Sequence, residues 1–274
     1  MENFPARAPR LIASDIDGTL LDRNHRVPRR NRDAVARAVQ QGAYFALSTG
    51  RPFRWIAPVL EQLPVRPVCV TSNGAVLYDS AEDRVMSAHE LSPAALAEVV
   101  DVAQTVLGTV GFGAERAGGS LGDAVEDLFV VERHYSENAL FEGFGVVSMG
   151  ELVGQPAVKF LIRNTDYSAP KLYELIAPHI DPELAHLTYS MQEGILEVAA
   201  PNVTKRRGVE WLAEHTGVAQ QETIAFGDMP NDIEMLRWAG CGVAMENAHP
   251  EVKAAADAVT VANHQAGVAK AVSY

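Results

Sequence analysis

Little in this chain belongs to a secreted, membrane or nucleic-acid-binding protein. Only two cysteines occur in 274 residues, Cys69 inside an apolar run and Cys241 beside a glycine, and they make neither a CxxC pair nor a disulfide framework. Two buried packing thiols in a reducing cytoplasm are the simpler expectation. The most apolar long stretch, Ala94 to Gly113, is interrupted by Glu98, Asp101 and Gln104, so no segment is expected to span a membrane. The opening residues MENFPARAPR lack the apolar centre of a signal peptide. Basic residues are outnumbered 23 to 35 by acidic ones, giving a formal charge of −12. That balance argues against nucleic acid or an anionic membrane as the main partner, although a local basic pocket for phosphate remains open.

What is present is ample for a folded core. A hydrophobic content of 47% over this length allows one large domain or two modest ones. Leu11 to Ile16 reads as a buried strand, Pro28 to Gln41 as a helix stopped by Gly42, and Ala43 to Leu47 as a second strand. A helix from about Pro52 to Gln62 and the strand Pro67 to Thr71 continue a βαβ rhythm, which predicts a parallel sheet. From Glu82 the texture changes. A helix from Pro93 to Leu107, glycine-rich stretches at Gly108 to Gly122 and Gly143 to Gly154, a strand Ala157 to Ile162 and a helix near Ala169 to Pro178 read as a separate α/β lobe with surface loops. After Ser190 the first rhythm resumes: strand Ile195 to Ala199, helix Lys205 to Thr216, strand Thr223 to Phe226, helix Pro230 to Trp238, strand Gly242 to Ala244, then a short strand and helix. The expected fold is therefore α/β: a Rossmann-like parallel-sheet core of residues 1–82 and 191–274, interrupted by a smaller α/β lobe of residues 83–190.

Four segments carry chemistry. Asp15 and Asp17 lie two residues apart at the end of the first strand, before the turn at Gly18, where open parallel sheets bind ligands. Such neighbouring acids are costly unless a cation or a shared proton holds them. Ser48-Thr49-Gly50-Arg51-Pro52 joins a strand to a helix and offers a hydroxyl, backbone N–H groups and a guanidinium to an anion. Lys205 opens the helix after Ile195 to Ala199 and can add a point charge. Asp228 ends another strand, and Asp232 follows in the first turn of the next helix. Each has a plainer reading alone: an Asx-type turn, an N-cap, a solvated lysine, or acids at the positive end of a helix.

Together they resemble, in order, the motif set of the haloacid dehalogenase-like superfamily, and within it the Cof-type phosphatases with an inserted α/β cap. The segments are Asp15-Ile-Asp17-Gly-Thr-Leu-Leu, Ser48-Thr49-Gly50-Arg51, Ser72-Asn73-Gly74-Ala75, Val203-Thr204-Lys205, Gly227-Asp228-Met-Pro-Asn231-Asp232 and Val243-Ala244-Met245-Glu246-Asn247-Ala248. The resemblance implies Asp15 as the nucleophile that becomes an aspartyl-phosphate and Asp17 as general acid and base. It implies Mg²⁺ held by Asp15, the backbone carbonyl at Asp17 and Asp228, with Asp232 acting from behind through metal-bound water. Thr49 and Lys205 would balance charge on the phosphoryl oxygens, with Gly50, Arg51, Asn73 and Asn231 around the phosphate. One departure is Glu246, which stands where the branch usually has glycine.

The implied activity is hydrolysis of small phosphomonoesters, sugar phosphates foremost, by a cytoplasmic monomer or homodimer. A phosphomutase and a non-enzymatic phosphate-ligand sensor are the alternatives. Asp17 argues against a dehalogenase, and the lack of membrane spans argues against a transport ATPase. In the inserted lobe, the loops around Gly118 to Gly122, with Arg133, His134 and Tyr135, are candidates for choosing the leaving group.

Overall fold

The computed structural model describes residues 8–140 and 142–272; residues 1–7, which hold most of the segment read above as lacking a signal-peptide centre, lie outside them. The chain divides into two units, Met1–Met86 with Thr204–Tyr274, and Ser87–Val203. Among the described residues no helix is long and apolar enough to cross a membrane. Cys69 and Cys241 are buried, and burial raises both thiol pKa values, that of Cys241 to about 11.

The first unit is built on a sheet ordered Ala258–Val259, Cys241–Ala244, Thr223–Gly227, Leu11–Ser14, Tyr44–Ser48, Val68–Thr71, Val76–Asp79 and Arg84–Ala88. From Ala258–Val259 to Val68–Thr71 neighbouring strands are parallel, and Val68–Thr71 pairs antiparallel with Val76–Asp79. The central strands are buried along their length and read as continuous apolar runs, as parallel strands covered on both faces do. Helix Arg29–Gln40 packs on Gly267–Val272 through Ala34 and Ala269. Helix Lys205–Thr216 begins where Thr204 Oγ1 accepts from Arg207 N and ends at the left-handed Gly217, which are the start and stop signals its sequence carries. The expected helix from Pro52 to Gln62 is instead two short pieces, a 3₁₀ turn Phe53–Trp55 and one α-turn Ala57–Leu60. Pro58 lacks the N–H that a continuous helix needs there, so it opens a new turn rather than extending the old one.

The second unit carries its own sheet, ordered His186–Thr188, Ile195–Ala199, Lys159–Arg163, Gly111–Glu115, Phe129–Val131 and Gly145–Val146. Its pairs are antiparallel except the last. Phe112, Phe160, Ile162, Leu196 and Val198 alternate onto one face and pack with Leu96, Val99 and Ala103 of helix Pro93–Leu107 and Leu172 and Ile176 of helix Ala169–Ile176.

Two expectations change here. Ile195–Ala199 belongs to this sheet rather than to the resumed parallel rhythm, so the second crossing between units falls after Val203 instead of at residue 190. Its alternation is equally compatible with either sheet, because a strand's periodicity encodes a face and not a partner. The glycine-rich stretch from Gly108 contains the buried strand Gly111–Glu115 and is not all surface loop. Glycine is present there because a Cβ at position 111 would lie 2.8 Å from Tyr135 Cα, closer than real atoms pack.

Candidate active site

In the first unit the strand Leu11–Ser14 has Thr223–Gly227 on one side and Tyr44–Ser48 on the other. Chain direction reverses its order at that strand, which opens a crevice at the carboxyl edge. Asp15 follows the strand's last residue, and its N–H donates to Phe226 O at 3.0 Å. Gly18 then turns the chain with φ +74°. A Cβ at that position would overlap Asp228 Oδ2, so glycine both makes the turn and lets the acidic loop after Thr223–Gly227 come close.

Asp15 and Asp232 are joined by one buried cation. Lys205 Nζ donates to Asp15 Oδ1 at 2.7 Å and to Asp232 Oδ1 at 2.6 Å. The other oxygen of Asp232 accepts from the N–H groups of Asp228 and Met229 at 2.9 and 3.0 Å. Asp228 Oδ1 accepts from Thr19 Oγ1 at 3.0 Å. Asp15, Asp228 and Asp232 can each offer an oxygen within 4.8 Å of the others, and all three are buried.

The electrostatics follow from that count, since one ammonium faces three acids. Burial raises the Asp15 pKa; Lys205 opposes this, Asp232, Asp228 and Asp17 add to it, and the result is well above the ordinary aspartate value. Asp228 is pushed up to about 7, by burial first and then by Asp232, against the pull of Thr19 and Lys205. Burial lowers the Lys205 pKa, but Asp15 and Asp232 outweigh it and hold the ammonium charged. One ammonium, bonded to two of three clustered carboxyl groups, leaves that cluster short of positive charge. The deficit and the all-oxygen donor set fit a hard divalent cation such as Mg²⁺.

Asp17 lies apart from that trio. Its side chain is half exposed and held by Arg51 through two bonds, Nε to Oδ2 at 2.6 Å and Nη2 to Oδ1 at 2.5 Å. Burial weighs against the Arg51 charge, but the hydrogen bond and charge of Asp17 outweigh it and raise the pKa. Thr49 is buried and its Oγ1 accepts from Arg51 N at 3.1 Å, with Gly50 in the bend between them. This use of a lone pair leaves the hydroxyl proton for a ligand. Asn73, with φ +57°, sits at the end of the third parallel strand, where its N–H donates to Thr49 O at 3.0 Å and its Oδ1 accepts from Asn231 Nδ2 at 3.0 Å.

Thus the carboxyl edge carries the ten residues that the sequence motifs assigned to phosphate, metal and catalysis, in two groups: the Asp15, Lys205, Asp228 and Asp232 cluster, and the Asp17 and Arg51 pair beside Thr49, Gly50, Asn73 and Asn231. The structure adds four residues that sequence reasoning missed. Thr19 orients Asp228, while Asn247 Nδ2 donates to Gly18 O at 2.8 Å. Buried Asn263 and Asn31 donate to the carbonyls of Leu21 and Leu20 at 2.8 and 3.2 Å. Thr19 lies inside the first motif and Asn247 inside the last, so their place was visible although their partners were not; Asn31 and Asn263 carry no such signal. Glu246 is exposed and does not have a positive φ, so it replaces glycine there without strain. In the second unit Tyr135, expected near a ligand surface, is fully buried against Phe129 and Val131, and Arg133 is an exposed partner of Glu137.

A family model described as haloacid dehalogenase-like hydrolase matches residues 12–272. The chain is similar to a 5-amino-6-(5-phospho-D-ribitylamino)uracil phosphatase of Bacillus subtilis, with 27% identity over 270 residues and 96% of each chain covered. It is also similar to an HMP-PP phosphatase of Serratia proteamaculans, with 30% identity over 265 residues, 93% of this chain and 90% of that one. Among solved structures it superposes on a haloacid dehalogenase-like hydrolase from Bacteroides thetaiotaomicron with a TM-score of 0.73 and 26% identity, covering 96% of this chain and 98% of the other.

Proposed function

The chain belongs to the haloacid dehalogenase-like hydrolase family and is a phosphatase; from that premise we propose that it hydrolyses small phosphomonoesters, sugar phosphates foremost, in the cytoplasm, through a covalent phosphate on Asp15. The observation that carries this reading is the buried Asp15 carboxylate, held by Lys205 at the carboxyl end of the central strand and within reach of Asp228. Relatives of similar overall identity bear different substrates in their names, so the substrate is not inherited from the likeness.

Asp15 attacks phosphorus, the bond to the alcohol oxygen breaks, and Asp17 gives that oxygen a proton. Water then attacks the phosphorus of the acyl phosphate while Asp17 takes its proton, which restores the Asp15 carboxylate and releases inorganic phosphate. Thr49 donates its hydroxyl, and Lys205 its remaining proton, to oxygens that gain charge as the phosphoryl group transfers. Asp232 holds Lys205 and the Asp228 backbone in place. Asp15, the backbone carbonyl at Asp17 and Asp228 would hold Mg²⁺, which when bound offsets repulsion between the carboxylates and the incoming phosphate. We assign choice of the leaving group to the second unit, since the edge described above is built for phosphate and metal.

Trapping the phosphoenzyme tests the covalent step. Asp15→Asn should form none, whereas Asp17→Asn should accumulate it from a substrate with a good leaving group. Near-native turnover in Asp15→Asn, with deamidation back to aspartate excluded, would refute the mechanism.

A further inference from the structure

We propose that Arg51 is a latch on Asp17: with no phosphoryl group present it grips both carboxylate oxygens, and an incoming phosphoryl group frees Asp17 by taking the guanidinium for itself. The inference rests on the reading of Asp17 as the acid and base.

The geometry demands such a release. Arg51 Nε and Nη2 reach one oxygen each of Asp17, at 2.6 and 2.5 Å, so the carboxylate is held fork to fork. A carboxylate in that grip cannot turn toward an ester oxygen, and the exposure of its side chain, 51%, does not free it. Held this way permanently, Asp17 could serve neither half of the reaction.

The same loop supplies the means of release. Thr49 Oγ1 accepts from the backbone N–H of Arg51, so a phosphoryl group that reaches the Thr49 hydroxyl arrives beside the residue that carries the latch. A phosphate dianion offers the guanidinium the same planar pair of acceptors as a carboxylate, with more charge. Lys205 cannot play this part, because its ammonium is already committed between Asp15 and Asp232. The remaining contact of the guanidinium, Nη1 to Trp55 O at 3.4 Å, is long and leaves it free to swing. The exchange therefore couples occupancy of the phosphate site to the availability of Asp17, and in the empty site Asp17 is withheld from solvent chemistry.

Two measurements test this, both on the full chain with Mg²⁺. In Arg51→Ala, KM for p-nitrophenyl phosphate and for glycerol phosphate should rise together by about tenfold or more, from the lost phosphate contact. The ratio of kcat between the two esters should stay within about twofold of the parent, because an unlatched Asp17 still serves the poor leaving group. If Arg51 instead aligns Asp17 for catalysis, kcat for glycerol phosphate should fall selectively, as in Asp17→Asn, and the latch is wrong. The second measurement is read on the parent protein, and a variant serves only to assign the signal. The ¹⁵N–¹H signal of Arg51 Nε, identified by its loss in Arg51→Lys, should shift in the parent protein as inorganic phosphate is titrated. A signal unmoved at saturating phosphate overturns the exchange. Failure of the phosphatase reading itself would show separately, as turnover surviving in Asp15→Asn.

Discussion

Charged side chains leave water in both units of this chain, but at different places on their strands. In the first, Asp15 and Asp228 stand just past the last residues of parallel strands, and their loops carry them to one edge. In the second, Glu197 stands in mid-strand and pairs at 3.3 Å with Lys159, the first residue of the neighbouring antiparallel strand, while Ser190 Oγ donates to Glu197 at 2.5 Å. Charge at a strand end can be crowded and under-neutralised, because loops hold it and a ligand can complete it. Charge in mid-strand must be balanced by the protein itself, or the sheet does not form. We read the first arrangement as the proposed reactive site and the second as a pair that fixes a register. Breaking each should therefore fail in a different way.

The largest effect is expected at Asp15. Asp15→Asn keeps the shape and removes the proposed nucleophile, so turnover should fall by about 10⁴-fold or more while the thermal midpoint stays near the parent's. A collapse of stability in that variant would mean that Asp15 is structural in the way Lys159 is, and the contrast between the units would fail. Metal dependence sharpens the same side of the comparison. Chelation should silence the enzyme, Mg²⁺ should restore it, and Ca²⁺, which prefers a larger and looser shell, should restore it poorly. Asp228→Ala should weaken Mg²⁺ activation far more than Asp232→Ala, whose oxygens are already occupied by Lys205 and two backbone N–H groups. Equal Mg²⁺ titration curves for the two variants would count against that division.

For the second unit the prediction inverts. Lys159→Met removes the ammonium that pairs with Glu197 in a nearly dry place, and a loss of about 3–5 kcal/mol of stability is expected. Below the melting range, turnover of p-nitrophenyl phosphate should change little, because none of the residues assigned to the chemistry is altered. The double variant Lys159→Met with Glu197→Gln should recover much of the loss. If Lys159→Met instead melts like the parent but loses selectivity among phosphomonoesters, the pair contacts substrate and the register argument is wrong.

The same contrast explains what was legible in the amino-acid sequence. The catalytic edge could be read because parallel strands all present their carboxyl ends to one side, so motifs far apart in sequence had to converge: Asp15, Thr49, Asn73 and Asp228 each follow a strand of one sheet. The starts of helices Pro93–Leu107 and Lys205–Thr216 were equally readable, and each is fixed by local chemistry, with Ser92 accepting from Ala95 N and Thr204 from Arg207 N. The second sheet was harder. Gly111–Glu115 hides a central strand under turn-like composition, and Ile195–Ala199 has a pattern that fits two sheets. The pairing of Asp17 with Arg51 was also out of reach, since two residues assigned to separate tasks on a shared edge give no sign of meeting each other.

The smallest effect is a dependence of stability on pH, and it belongs to the under-neutralised edge. Burial and Asp232 lift the Asp228 carboxyl from its ordinary value of 3.8 to about 7 in the metal-free fold. Between those values the folded state binds more protons than the unfolded chain, so the contribution of this group is fully present below pH of about 4 and is lost as pH rises through about 7. Metal-free protein should therefore lose stability across that window, at a slope of at most about 1.4 kcal/mol per pH unit for one group. Mg²⁺ binds the ionised carboxylates, so saturating metal should flatten or reverse the slope. Urea melts from pH 4.5 to 7.5, with and without Mg²⁺, measure this directly. Hydrogen exchange of the strands Leu11–Ser14 and Thr223–Gly227 should report the change most strongly. A slope unaffected by Mg²⁺, or an equal response throughout Lys159–Arg163 and Ile195–Ala199, would place its origin away from Asp228 and remove the thermodynamic half of the distinction between the two sheets.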